Sequence, residues 1–64
     1  MSIKRNKFIK HLENNFCFFH RHRGKHDIYK NSLTGKKTTI PRHPQIDPNL
    51  CDTICKQLEI DKIS

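Results

Sequence analysis

Sixty-four residues with a formal charge of +7 leave room for one domain with a thin core, since a chain this short buries only about 60% of its unfolded surface. That charge points to a polyanionic ligand, nucleic acid first, because Lys and Arg that neutralise phosphates gain affinity by releasing counterions. The longest apolar run, Phe16-Cys17-Phe18-Phe19, is far short of the ~20 residues that span a bilayer, and three cysteines without a Cys-x-x-Cys pair or a targeting segment point to reduced thiols in a soluble, cytoplasmic protein.

The basic character belongs to the first part of the chain: residues 1–46 hold eleven Lys/Arg against two Asp/Glu, a net of +9, and residues 47–64 have a net of −2. Ser2 is a possible helix cap, and Ile3, Phe8, Ile9, Leu12 and Phe16 recur at steps of three and four, which predicts an amphipathic helix over 3–14. Its other face carries Lys4, Arg5, Lys7, Lys10 and His11, read as a solvated surface, and Asn14-Asn15 offers the stop, since Asn tolerates the left-handed conformation at a helix end.

Phe16 to His22 is aromatic-rich and reads as a strand. Strict alternation sets Phe16, Phe18, His20 and His22 on one face and Cys17, Phe19 and Arg21 on the other. A second strand runs from His26 to Asn31, a turn follows at Asn31-Ser32-Leu33-Thr34-Gly35, and a third strand runs from Lys36 to Pro41, where proline ends the pairing. The stretch from Pro41 to Pro48 reads as a loop. Asp47-Pro48 then starts a helix with a cap and a proline at its first position, and Leu50, Cys51, Ile54, Cys55 and Leu58 make one apolar stripe, predicting a helix over 48–58 with frayed residues after it. The expected class is α+β: helix, three-stranded antiparallel sheet, helix, in one domain over residues 1–64, the element order of the double-stranded-RNA-binding fold.

The chemistry centres on Arg21-His22-Arg23-Gly24-Lys25-His26-Asp27-Ile28-Tyr29. Gly24 lets backbone amides and flanking cations approach a phosphate closely, having no Cβ in the way, and His26 follows as a side chain able to take and give a proton near neutral pH. RNA needs no metal for cleavage: its 2′-hydroxyl attacks the adjacent phosphorus once deprotonated, a second group protonates the departing 5′-oxygen, and cations hold the growing charge. His26 is the candidate catalytic residue, with Arg21, Arg23, Gly24, Lys25, Tyr29, Arg42 and His43 as candidate substrate-binding residues; Tyr29, Lys25 and His43 are equal candidates for the second proton donor. A metal site at His20, His22 and His26 has no common zinc spacing behind it, so neither metal nor cofactor is expected. Cys17, Cys51 and Cys55 lie on apolar faces, which argues against a thiolate nucleophile. The alternatives to an RNA endonuclease are a non-catalytic RNA-binding module of the same fold and an interaction protein with no RNA role.

Gly24-Lys25-His26-Asp27-Ile28-Tyr29 resembles the Gly-x-His-x-hydrophobic-aromatic signature of HicA toxins, the small mRNA interferases of type II toxin–antitoxin systems. Thr39-Ile40-Pro41-Arg42-His43 is similar to that family's Val/Ile-Pro-x-His segment, and Leu50 to Ile60 to its closing helix, so the resemblance covers about residues 3–60. It implies the helix, three strands, helix fold, metal-independent RNA cleavage with the catalytic histidine at His26, and a HicB antitoxin that covers the active site. The chain departs from the family pattern at Lys25, where a small residue is usual, at Arg23, where a second glycine is frequent, and at Glu59, where a glycine ends the helix.

Overall fold

The computed structural model describes residues 2–63 and consists of β1 (Ile3–Lys4), α1 (Arg5–Asn14), β2 (Cys17–Arg23), β3 (His26–Asn31), β4 (Lys37–Pro41), β5 (Gln45–Ile46) and α2 (Pro48–Gln57). The α+β expectation holds: β2, β3 and β4 form an antiparallel sheet in that order, with α1 packed on β2 and α2 on β4. One core joins the layers. Phe8 and Leu12 of α1 and Cys51, Ile54, Cys55 and Leu58 of the α2 segment meet Cys17, Tyr29 and Ile40 of the sheet. Burying one such Leu, Ile or Phe contributes about 1.5–3 kcal/mol, so a chain this small depends on each of them.

The first expected helical turn is instead a strand. Ile3 and Lys4 pair with Ile46 and Gln45, Arg5 N–H donates to the Pro44 carbonyl at 2.9 Å, and the Ser2 hydroxyl bonds Gln45 rather than capping a helix. The helix starts after Lys4 with no side-chain cap. The stretch between Pro41 and Pro48 therefore holds β5, a strand too short to carry a periodic signal. The helix stop lies where expected, but the left-handed residue is Phe16 (φ 65), not an asparagine; its carbonyl accepts from both Ser32 N–H and Ser32 Oγ at 2.9 Å, which holds the strained backbone.

At the other end, Asp47 caps α2 by accepting from Asn49 N–H at 2.9 Å, as its position before Pro48 predicts. Cys51, Ile54, Cys55 and Leu58 are buried, whereas Leu50 is turned outward and 41% exposed. The helix closes through a reciprocal pair of bonds, Ile60 N–H to Cys55 O at 3.0 Å and Glu59 N–H to Lys56 O at 3.1 Å, with Glu59 in the left-handed conformation (φ 59) that usually selects glycine. Nor does the chain fray after it: Ile60 and Ile63 pack on the core, and His11 Nε2 lies 2.8 Å from the Asp61 carbonyl. Buried Asn31 fastens the β3–β4 turn to this end, donating to the Leu58 carbonyl at 2.7 Å and accepting from Leu33 N–H at 2.8 Å.

Candidate active site

A two-residue turn, Gly24-Lys25, joins β2 to β3, with Arg23 opposite His26. Only its first residue has a positive φ, 56° at Gly24, the pattern of a type II′ hairpin turn, which matches the twist of the flanking strands. His26 is thereby fixed at the end of the central strand, between Arg23 on one side and Pro41 on the other. Directly opposed residues of an antiparallel ladder share a face, and His26 is on the face away from the helices. It lines a groove with Lys25, Pro41, Arg42 and His43. The structure thus unites Lys25, His26, Arg42 and His43, and sets Arg21 and Arg23 on the adjoining sheet surface.

Tyr29 does not join them. Three residues along β3 from His26, it points to the opposite face, is 7% exposed and sits edge-on to Phe19. Burial foremost raises its proton affinity. This geometry sets Tyr29 in the core, apart from the groove that His26 lines.

Strict alternation also fails in β2. Phe19 pairs with Tyr29 and Arg21 with Ile28, so His20 is an extra residue in a bulge. From there the faces exchange, and His22 falls with Phe19 on the helix side, opposite Asp27, its ring centroid 4.9 Å from that of Phe19. His22 and His26 therefore occupy opposite faces, which dissolves the three-histidine arrangement. Among the described residues no group of three His, Cys, Asp or Glu side chains gathers as a metal site.

Asp27 is the feature the sequence reading missed. Its Oδ2 accepts from Arg5 Nη2 at 2.9 Å, and its Oδ1 from Arg42 Nε at 2.9 Å and from His22 Nδ1 at 2.8 Å. Arg5 Nε also donates to the Pro41 carbonyl at 2.9 Å, and Arg42 Nη2 donates to the His26 carbonyl at 3.3 Å. Arg42 Nη2 lies 2.9 Å from His22 Nδ1 as well. A carboxylate can only accept, so the ring proton is assigned to Nδ1, which then has no lone pair for Arg42. Burial pulls the Asp27 carboxyl upward, but hydrogen bonds from His22 and Arg42 and their charges outweigh it and hold the group below its ordinary value.

Arg5, expected on a solvated helix face, is thus half-buried and clamps α1 to β3 and β4. Arg42 is bound to Asp27 and to the His26 backbone, so it positions the histidine from behind while its outer surface borders the groove. The available signal was the rarity of acid: Asp27 is one of two carboxylates in residues 1–46, and a lone acid among cations in a strand has charged partners within reach.

The cysteines offer no nucleophile. Cys17, Cys51 and Cys55 are buried free thiols, and desolvation foremost raises all three, Cys51 to about 11, so the reactive thiolate is suppressed. No described helix is long and apolar enough to cross a membrane.

Against known families, the model described as HicA toxin of bacterial toxin-antitoxin matches residues 5–60. Neither the curated proteins nor the solved structures give a match.

Proposed function

This chain belongs to the HicA toxin family of bacterial toxin–antitoxin systems, and on that premise we propose that it is a metal-independent RNA endonuclease, with His26 as its catalytic histidine and a HicB-type antitoxin as its inhibitor. The observation that carries this reading is the groove in which two exposed imidazoles, His26 and His43, stand with Lys25 and Arg42. The reaction requires a general base and a general acid, and a pair of imidazoles can fill both roles. One takes the proton of the ribose 2′-hydroxyl as its oxygen bonds to phosphorus. The other delivers a proton to the 5′-oxygen as the P–O bond breaks, leaving a 2′,3′-cyclic phosphate and a 5′-hydroxyl. Lys25, at the tip of the glycine turn, supplies positive charge where the phosphorane becomes more negative.

With Tyr29 inside the core, His43 is the favoured partner for His26. The Asp27–Arg42 pair supports catalysis indirectly: by holding the His26 carbonyl it limits how far the imidazole strays, and reaction rates fall steeply with misplacement of a reacting group. The antitoxin reading draws on the family and on charge, since a surface of net +9 over residues 1–46 steers an acidic partner toward it.

The test is to incubate the purified chain with single-stranded RNA in EDTA and analyse the new ends. The expected result is cleavage that leaves 2′,3′-cyclic phosphates. An RNA left intact in EDTA and cut once magnesium or zinc is restored would contradict the metal-independent mechanism.

A further inference from the structure

The strand register defines a surface on the side of the sheet that neither helix covers. Three cross-strand rungs lie there: Arg23–His26–Pro41, Arg21–Ile28–Thr39 and Phe18–Lys30–Lys37. The core draws instead on Cys17, Tyr29 and Ile40, the alternate set. Ile28 belongs to the uncovered face and is still only 5% exposed. The groove beside it is lined by Arg21, Arg23, Lys37 and Thr39, and stems of such length cover apolar surface while their charged ends stay in water.

Those charged ends have no internal use. Every ion pair among the described residues ends on Asp27, on the other face, so Arg21, Arg23, Lys30 and Lys37 are left without a carboxylate. Three of them act on the bulge, where the His20 imidazole is pushed toward its neutral form by desolvation first and then by Lys37, Lys30 and Arg21. Phe18 is 46% exposed in the rung that holds Lys30 and Lys37, and with Phe19, His20, Lys30 and Ser32 it lines a further groove. From His26 to Lys30 is four residues of strand, about 13 Å, the scale of a few nucleotides. An aromatic ring at the end of a line of unpaired cations is the arrangement by which single strands are held, with bases stacked on rings and phosphates tracked by charge.

We propose that this uncovered sheet face is the track for a single-stranded RNA: the backbone passes Arg23 and His26, follows Arg21, Lys37 and Lys30, and a base a few nucleotides from the cleaved bond stacks on Phe18. The proposal rests on the RNA reading above and adds the strandedness of the substrate and three contacts, Phe18, Lys30 and Lys37. Duplex RNA is disfavoured because its bases are already stacked on one another and offer no free face to Phe18.

The experiment measures binding of a fluorescein-labelled, mixed-sequence single-stranded RNA and of its duplex to the full chain carrying His26→Ala, which removes the candidate catalytic imidazole. Further variants in that background are Phe18→Ala, Lys30→Gln with Lys37→Gln, and, as a control on the far side, Lys7→Gln with Lys10→Gln. Phe18→Ala is expected to weaken single-strand binding by about 5- to 100-fold, the effect of one lost stacking platform, with little change for duplex. The double lysine variant is expected to lower the log–log salt slope by about 0.7 per lost contact. Photo-crosslinking of 4-thiouridine RNA to the chain with Phe18 intact supplies a readout that survives a folding defect in the variants, and the expected crosslink is in the β2 peptide. Unchanged single-strand binding in both sheet-face variants, loss in the Lys7/Lys10 control instead, or crosslinks confined to α1 would overturn the track. If wild-type chain cleaves RNA while the sheet-face variants bind normally, the track falls and the endonuclease reading stands. A chain that neither binds nor cleaves RNA overturns both.

Discussion

Arg42 and Asp27 are joined at 2.9 Å through Nε and Oδ1, and Nη2 of the same guanidinium reaches the His26 carbonyl at 3.3 Å. The carboxylate is shared with Arg5 at the start of α1, also at 2.9 Å. One acid therefore ties the first helix, the central strand and the segment after β4 to the backbone of the candidate catalytic residue.

Asp27→Asn keeps the shape and removes the charge, leaving two guanidiniums without their anion. Loss of hydrogen bonds to charged groups costs about 1.5–3 kcal/mol, and each kcal/mol lowers Tm by about 4–8 °C in a chain of this size. The pH dependence has a definite sign. Because the folded-state carboxyl is held below its ordinary value, its contribution is complete above the unfolded-state value of ~3.9 and is lost as pH falls through the lower folded value. Thermal melts of wild type and Asp27→Asn should differ most near neutrality and converge as pH is taken below about 4; a gap that widens on acidification would contradict the assignment.

Glu59 occupies a left-handed position (φ 59) at the end of α2, where the Schellman bonds are already made by its backbone. A residue with a Cβ costs roughly 1–2 kcal/mol there, part of which glycine gives back through its greater freedom when unfolded. Glu59→Gly should raise Tm by a few degrees, on the order of 0.5–1 kcal/mol, with RNA cleavage unchanged. A lower Tm would mean that the Glu59 side chain contributes more than its backbone conformation costs.

Much of this was legible because it is local. The order of elements followed from spacing in α1 and α2, from turn residues at Gly24 and Asn31 to Gly35, and from Asp47-Pro48. What escaped is set by partners distant in sequence. The bulge at His20 leaves no mark in the residue pattern, yet it reverses the face of His22. Ile3-Lys4 and Gln45-Ile46 are strands only because they find each other across 40 residues. Arg5 looked solvated because its carboxylate lies 22 residues away. Tyr29 stood next to the site in sequence, but the alternation of β3 turns it into the core. The groove itself needed the segment after β4 to return beside the turn between β2 and β3, bringing His43 to His26.

If two imidazoles share the proton transfers, the cleavage rate should be bell-shaped in pH, since one ring must begin neutral and the other protonated. His43→Ala should lower the rate by about 100-fold or more and remove one limb of the profile, leaving the other in place. A full bell in the His43→Ala variant would move the second role to Lys25 or to solvent.

Whether His26 performs chemistry or merely holds RNA is decided by comparing wild type with His26→Ala in single-turnover cleavage, with RNA affinity measured on the same preparations. His26 is exposed and makes no side-chain hydrogen bond among the described residues, so the variant should fold as wild type does. The expected result is a rate reduced by about 100- to 10,000-fold with affinity unchanged within about threefold. A His26→Ala variant that cleaves within about threefold of the wild-type rate would contradict a catalytic role for His26.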